Sequence, residues 1–151
     1  MSGANPKPAV LFLCTGNSAR SLLAEALLRR LGGGRFDVYS AGTGPKGVNP
    51  FTLRVLEEAG VSAEGLWSKT VDDVLAQVQP DYLIAVCSEA DRNCPAVPLR
   101  RGERLSWPFD DPAAETGPDE RKLARFREVR DQIARRIRAW LGEEPWKQPP
   151  R

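Results

Sequence analysis

The sequence predicts an α/β fold built on a parallel sheet, and three observations carry that reading. Strand-like and helix-like segments alternate along the 151 residues. Residues 9–13 and 82–86 are apolar throughout, as strands covered on both faces must be. Glycine clusters close the first helical segment and the second strand segment.

Each element follows from its local pattern. Residues 9–13 (Ala-Val-Leu-Phe-Leu) read as the first strand. Residues 20–31 read as a helix stopped by Gly32, Gly33 and Gly34. Residues 36–41 form a second strand, ended by Gly42-Thr43-Gly44-Pro45. Asn49 caps the next helix and Pro50 takes its first position. That helix runs through Leu53, Leu56 and Ala59 to Gly60. Val71, Val74, Leu75 and Val78 give a helical stripe over 71–78. Residues 82–86 are a third strand and 104–107 a weak fourth. The last helix spans about 119–141, with Leu123, Phe126, Val129 or Arg130, Ile133, Ile137 and Leu141 toward the sheet. Its arginines (Arg125, Arg127, Arg135, Arg136, Arg138) read as a solvated face, helped by pairs such as Asp131 with Arg135.

Size and composition bound the function. The length suits one domain over 1–151, with 1–8 and 143–151 expected as mobile tails. Hydrophobic residues at 41% can build a core, and a net charge of +2 argues for neither nucleic acid nor membrane as a partner. No apolar run is long enough to span a bilayer and no signal-peptide core precedes the first strand, so a cytoplasmic location is expected. Three cysteines argue against a disulfide framework, and with no histidine they are too few for a structural zinc site. No metal and no cofactor are expected. Without histidine, proton transfer falls to a carboxylate, cysteine, lysine or tyrosine.

The chemistry concentrates in Cys14-Thr15-Gly16-Asn17-Ser18-Ala19-Arg20-Ser21, between the first strand and first helix. A short loop there turns successive N–H groups inward, and the helix N-terminus adds partial positive charge. Thr15, Gly16, Asn17, Ser18, Ala19 and Arg20 are thus the expected oxyanion-binding residues. The Arg20 guanidinium matches a tetrahedral anion. Cys14 is the expected nucleophile, since such surroundings favour a thiolate. Asn17 tolerates left-handed backbone and shapes the loop. The Ser21 hydroxyl can hold the Cys14 thiolate ionised, or cap the helix, or both.

Two further segments reach the same edge. Ligands of a parallel sheet gather beyond the carboxyl ends of its strands; Cys14 ends strand one and Cys87 ends strand three. Across a regular helix, Cys87 and Cys94 would stand about 10 Å apart, whereas a disulfide needs Cα atoms roughly 4.4–6.8 Å apart. Bridging them requires that turn to unwind or to be a loop; a buried core thiol and an incidental loop cysteine are the alternative. Pro112 pushes Asp111 toward extended backbone, which can hold its carboxyl over the site as proton donor. An ordinary Asp-Pro turn is the competing reading.

Cys14 to Ser21, with Asp111-Pro112 late in the chain, resembles the low-molecular-weight protein tyrosine phosphatase family over roughly residues 8–141. Tyr39-Ser40-Ala41-Gly42, Gly47-Val48-Asn49-Pro50, the segment Cys87 to Pro95 and Trp107 to Ala113 are similar to the thioredoxin-coupled arsenate reductases within it. The resemblance implies a four-stranded parallel sheet flanked by helices in a three-layer sandwich. It implies arsenate or a phosphate-like oxyanion in the loop, a relay through Cys14, Cys87 and Cys94 ending in a Cys87–Cys94 disulfide, and thioredoxin as reductant. A phosphotyrosine phosphatase working through a Cys14 phosphocysteine is the alternative, and a non-catalytic phosphate-binding module a third reading. Three positions depart from the pattern. Ala19 stands where relatives often carry a cysteine. Ala113 stands where the phosphatases carry an aromatic residue. Asn17, Glu25 and Ser68 match a potassium site of some relatives, but Thr70 replaces its carboxylate, so no ion is expected there.

Overall fold

The computed structural model describes residues 7–88 and 96–144. Four parallel strands form one sheet: β1 (Ala9–Cys14), β2 (Asp37–Gly42), β3 (Tyr82–Ala85) and β4 (Glu103–Ser106), in the order β2-β1-β3-β4. Around it pack α1 (Arg20–Gly32), α2 (Pro50–Glu58), α3 (Val71–Leu75) and α4 (Asp119–Gly142). Every residue of β1 and β3 is buried, so both faces of the central sheet are covered. The chain leaves β1 toward one edge and returns past it to make β3. The carboxyl ends of β1 and β3 therefore form the point where the winding reverses and a crevice opens.

Local chemistry sets the element ends. Gly33 closes α1 in left-handed conformation at φ 59°. The Asn49 side chain accepts from the Phe51 N–H and caps α2, with Pro50 next. Thr70 and Asp73 form a reciprocal capping box on α3. That helix ends at Leu75, earlier than its apolar stripe suggests, and the chain goes on in a turn where Gln77 N and Val78 N both donate to Val74 O. The α2 stripe also differs from expectation. Leu53 and Ala59 face solvent, while Thr52, Val55 and Leu56 are buried. Thr52 hides its polarity by donating to the Ser18 carbonyl at 2.8 Å.

On α4, Val129 rather than Arg130 is fully buried. Asp131 accepts from Arg130 at 2.9 Å, not from Arg135 as expected. Trp140 reaches the sheet, where its ring meets Phe36, Tyr82 and Trp107 at 5.3–5.9 Å. The Tyr82 and Trp107 contacts are edge-on, and such packing adds to burial. The expected tails fall largely on residues outside those described. No helix among the described residues is long and apolar enough to cross a membrane.

Glu58 at the end of α2 clamps α4. Arg127 donates to both of its oxygens, at 2.7 and 2.8 Å. Those hydrogen bonds hold the Glu58 carboxyl below its ordinary value of 4.5. The folded state thus favours the ionised form, and the contribution is present above the ordinary value and lost as acid protonates the folded protein. Glu58→Gln should lower the thermal midpoint slightly at pH 7. The deficit should shrink in acid scans once the native carboxylate takes its proton.

Candidate active site

The loop from Cys14 to Arg20 is held by its carbonyls. Cys14 O accepts from Thr43 N, Thr15 O from Gly44 N, Gly16 O from Lys46 N and Ser18 O from Asn49 N, all at 2.8–3.2 Å. Ala19 O accepts from Leu23 N inside α1. With these oxygens drawn outward, the amides face the other way. Among the described residues the N–H groups of Gly16, Asn17, Ser18 and Ala19 find no protein acceptor. No side chain caps α1 either, so its first amides stay available to an anion.

Cys14, Thr15, Gly16, Ser18, Ala19 and Arg20 line a cavity of about 130 Å³, closed by Lys46, Asp111 and Ala113. Pockets that enclose drug-sized ligands run to roughly 300–1,000 Å³, so this one suits a small ion. Arg20 is the first residue of α1. Its Nη1 donates to the Phe109 carbonyl at 3.0 Å, and its Nη2 stands 3.8 Å from Asp111 Oδ2. Beyond β4, Trp107 N and Phe109 N donate to Ala85 O and Val86 O, extending the ladder past the strand. That extension carries Asp111 to the cavity mouth, where its Oδ1 accepts from Ala113 N at 2.9 Å and leaves Oδ2 toward Arg20.

A buried polar chain stands behind the sulfur. Asn17 lies in left-handed backbone at φ 43° and is fully buried. Its Oδ1 accepts from Lys69 N at 2.9 Å, which fixes the amide orientation. Its Nδ2 then donates to Ser21 Oγ at 2.7 Å and to Ser40 Oγ at 3.0 Å. An amide nitrogen can only donate, so Ser21 keeps its own hydrogen for Cys14 Sγ at 2.9 Å. The Ser21 hydroxyl hydrogen thus points at the Cys14 sulfur. Ser40 donates in turn to Glu25 Oε1 at 2.5 Å. Lys69 Nζ bonds Trp67 O at 2.7 Å and sits 3.8 Å from Glu25, whose other oxygen pairs with Arg29. Burial is the main force on the Lys69 ammonium and lowers its pKa, with Glu25 opposing.

This arrangement tests the potassium match. The Asn17 carbonyl oxygen is already taken by the Lys69 backbone N–H, and Glu25 faces the Lys69 ammonium, which brings its own positive charge to that place. Ser68 is elsewhere, bonding Gly47 N and the Gly16 carbonyl. The residues do not fit a resident ion. Among the described residues no cluster of metal-ligating side chains occurs.

Cys87 lies two residues beyond β3, buried, with its sulfur 3.6 Å from Thr15 Oγ1. Both described cysteines are thiols at the same sheet edge. Cys94 lies outside the described residues. Ser40, Lys69, Thr52 and Lys46 were missed as parts of the site by sequence reasoning. Only Ser40, inside Tyr39-Ser40-Ala41-Gly42, carried a signal.

Residues 9–148 match the family described as low molecular weight phosphotyrosine protein phosphatase. The chain belongs to that family. Within it, the chain is 43% identical over 134 residues to an arsenate reductase of Halalkalibacterium halodurans, covering 89% of this chain and 95% of that one. A solved thioredoxin-dependent arsenate reductase of Corynebacterium glutamicum is 31% identical with a TM-score of 0.71. The match covers 96% of this chain and 65% of that protein's length, so this chain spans just under two thirds of it. An arsenate reductase solved in the phosphate binding state is 28% identical, TM-score 0.69, over 90% of this chain and 98% of that one.

Gly42, at the end of β2, makes the family loop possible here. A Cβ on it would meet Thr15 O at 2.7 Å, Asn17 Cβ at 2.9 Å and Asn17 N at 2.9 Å, mostly backbone that cannot yield cheaply. A Cβ on Gly44 would meet nothing within 4 Å. Gly42→Ala should destabilise the fold by about 1–3 kcal/mol, as overpacking does, and weaken phosphate binding at least tenfold. Gly44→Ala should leave both close to the parent. Denaturant unfolding and phosphate titration of the two variants check this contrast.

Proposed function

We propose that this chain reduces arsenate to arsenite through successive thiol steps. The observation that carries the reading is one sheet edge bearing two thiols, Cys14 in an oxyanion-sized nest and Cys87 beside the nest's Thr15. The arsenate reductases among its relatives support it.

Arsenate docks on the loop amides and Arg20. Cys14, as thiolate, attacks arsenic, and Asp111 protonates the departing oxygen, so a sulfur–arsenic bond replaces an arsenic–oxygen bond. The Cys87 thiolate then attacks Cys14 sulfur. The sulfur–arsenic bond breaks and its electron pair stays on arsenic, which leaves as arsenite while a Cys14–Cys87 disulfide forms. Cys94 attacks Cys87, giving Cys87–Cys94 and releasing Cys14. A thioredoxin-type dithiol reduces that bridge, and the cycle requires a thiol-reducing compartment such as the cytoplasm. Ser21 and Asn17 hold the first sulfur ready, and Thr15 orients the second.

The same nest with Cys14, Arg20 and Asp111 can hydrolyse a phosphate ester, so weak phosphatase activity is expected beside reduction. Ala113 in the cavity wall offers no ring to grip a phenol.

NADPH consumption with arsenate, thioredoxin and thioredoxin reductase reads the cycle directly. Cys87→Ser and Cys94→Ser should each abolish turnover yet spare hydrolysis of an aryl phosphate. Asp111→Asn should slow the first step by about 10²-fold or more. If both cysteine variants still cycle arsenate at the parent rate, the relay is wrong. If the parent ignores arsenate but hydrolyses phosphotyrosine briskly, the chain is a phosphatase.

A further inference from the structure

Electrostatic balance at the cavity is unfavourable without one residue that no motif pointed to. Arg20 and an ionised Cys14 cancel in formal charge, and Asp111 adds a negative charge whenever it is ionised. From the side-chain charges of these described residues alone, a tetrahedral dianion arriving at such a mouth gains no long-range attraction. Lys46 is the remaining charged residue in the lining.

Its placement is built rather than incidental. Lys46 N donates to Gly16 O at 2.9 Å, fixing the lysine backbone against the nest. Its aliphatic stem then lies over Gly16: a Cβ there would meet Lys46 Cδ at 3.3 Å, Cγ at 3.5 Å and Cε at 3.7 Å. The segment is pinned again one residue on, where Gly47 N donates to Ser68 Oγ, which itself reaches Gly16 O. The lysine is exposed, and among the described residues it has no carboxylate partner. Among the described residues, the other cations near the sulfur also meet protein groups: Arg20 donates to Phe109 O and faces Asp111, and Lys69 donates to Trp67 O and faces Glu25.

We infer that Lys46 is a specificity-determining residue, an oxyanion-capturing arm that offsets the Asp111 carboxylate, leaves the lining net positive when Asp111 carries its proton, and selects doubly charged tetrahedral anions. It draws the dianion to the mouth through long-range attraction, which salt screens. It holds ground state and transition state alike, so its loss appears in KM rather than kcat.

The turnover arm of the test rests on the arsenate reading; the binding arm does not. In the first, KM and kcat for arsenate are measured for the parent, Lys46→Met and Lys46→Arg from low to moderate salt. In the second, inorganic phosphate is titrated into the same resting proteins by calorimetry. Lys46→Met should raise KM for arsenate and Kd for phosphate about five- to tenfold at low salt, the scale of one exposed charge acting on a dianion. Its kcat should stay within about twofold, in keeping with uniform binding. The salt dependence of binding should flatten, and Lys46→Arg should recover most of the loss. A chain that ignores arsenate but loses phosphate affinity in Lys46→Met refutes the reductase reading and keeps this one. Unchanged phosphate affinity in Lys46→Met at low salt overturns it, as does a fall in kcat with KM untouched.

Discussion

The whole site depends on the backbone of residues 14–20 being turned outward by its carbonyls. Four of those oxygens are taken by N–H groups from the stretch 43–49, with Thr52 and Ser68 adding hydroxyls. Peptide units are rigid dipoles, so fixing each oxygen outside fixes its hydrogen partner inside. The nest is therefore less a property of the loop than of the chain that follows β2. Close approach between the two requires Gly42, where even a methyl group would strike loop backbone.

The polar network behind Cys14 has a single direction. Asn17 donates to two hydroxyls, one serine passes its hydrogen to sulfur, and the other passes its hydrogen to Glu25. Burying Glu25 is tolerable because Lys69 and Arg29 flank it and Ser40 donates to it. Each member satisfies its neighbour, so altering any one leaves a buried group unpaired. The buried core and the surroundings of the Cys14 sulfur are thus maintained by the same atoms.

Much of this was legible in the residues themselves. The unbroken apolar runs of β1 and β3 announced a two-sided sheet, and Gly33, Asn49 and Pro50 marked helix ends through chemistry local to a few residues. Cys14, Arg20, Ser21 and Asp111 could be picked out because each residue type suits one task in oxyanion chemistry. Lys69 was illegible, since its role arises from meeting Glu25 across 44 positions of sequence. Thr52 was hidden by its polarity: the helix stripe favoured Leu53, yet the buried threonine pairs with a loop carbonyl no periodicity can foresee. Lys46 looked like any lysine in a glycine-rich turn, and only the stem contact with Gly16 separates it from a solvated charge.

The two described thiols come from neighbouring strands, and this ties chemistry to alignment. In β1 and β3, Leu13 stands opposite Ala85, so the chain exits both strands almost level. Side chains alternate sides with each step along a strand. Sliding β3 by a single residue against β1 would turn the sulfur of Cys87 to the far side of the sheet while leaving the hydrophobic layer superficially intact. Strand alignment consequently sets which side of the sheet the sulfurs of positions 14 and 87 face.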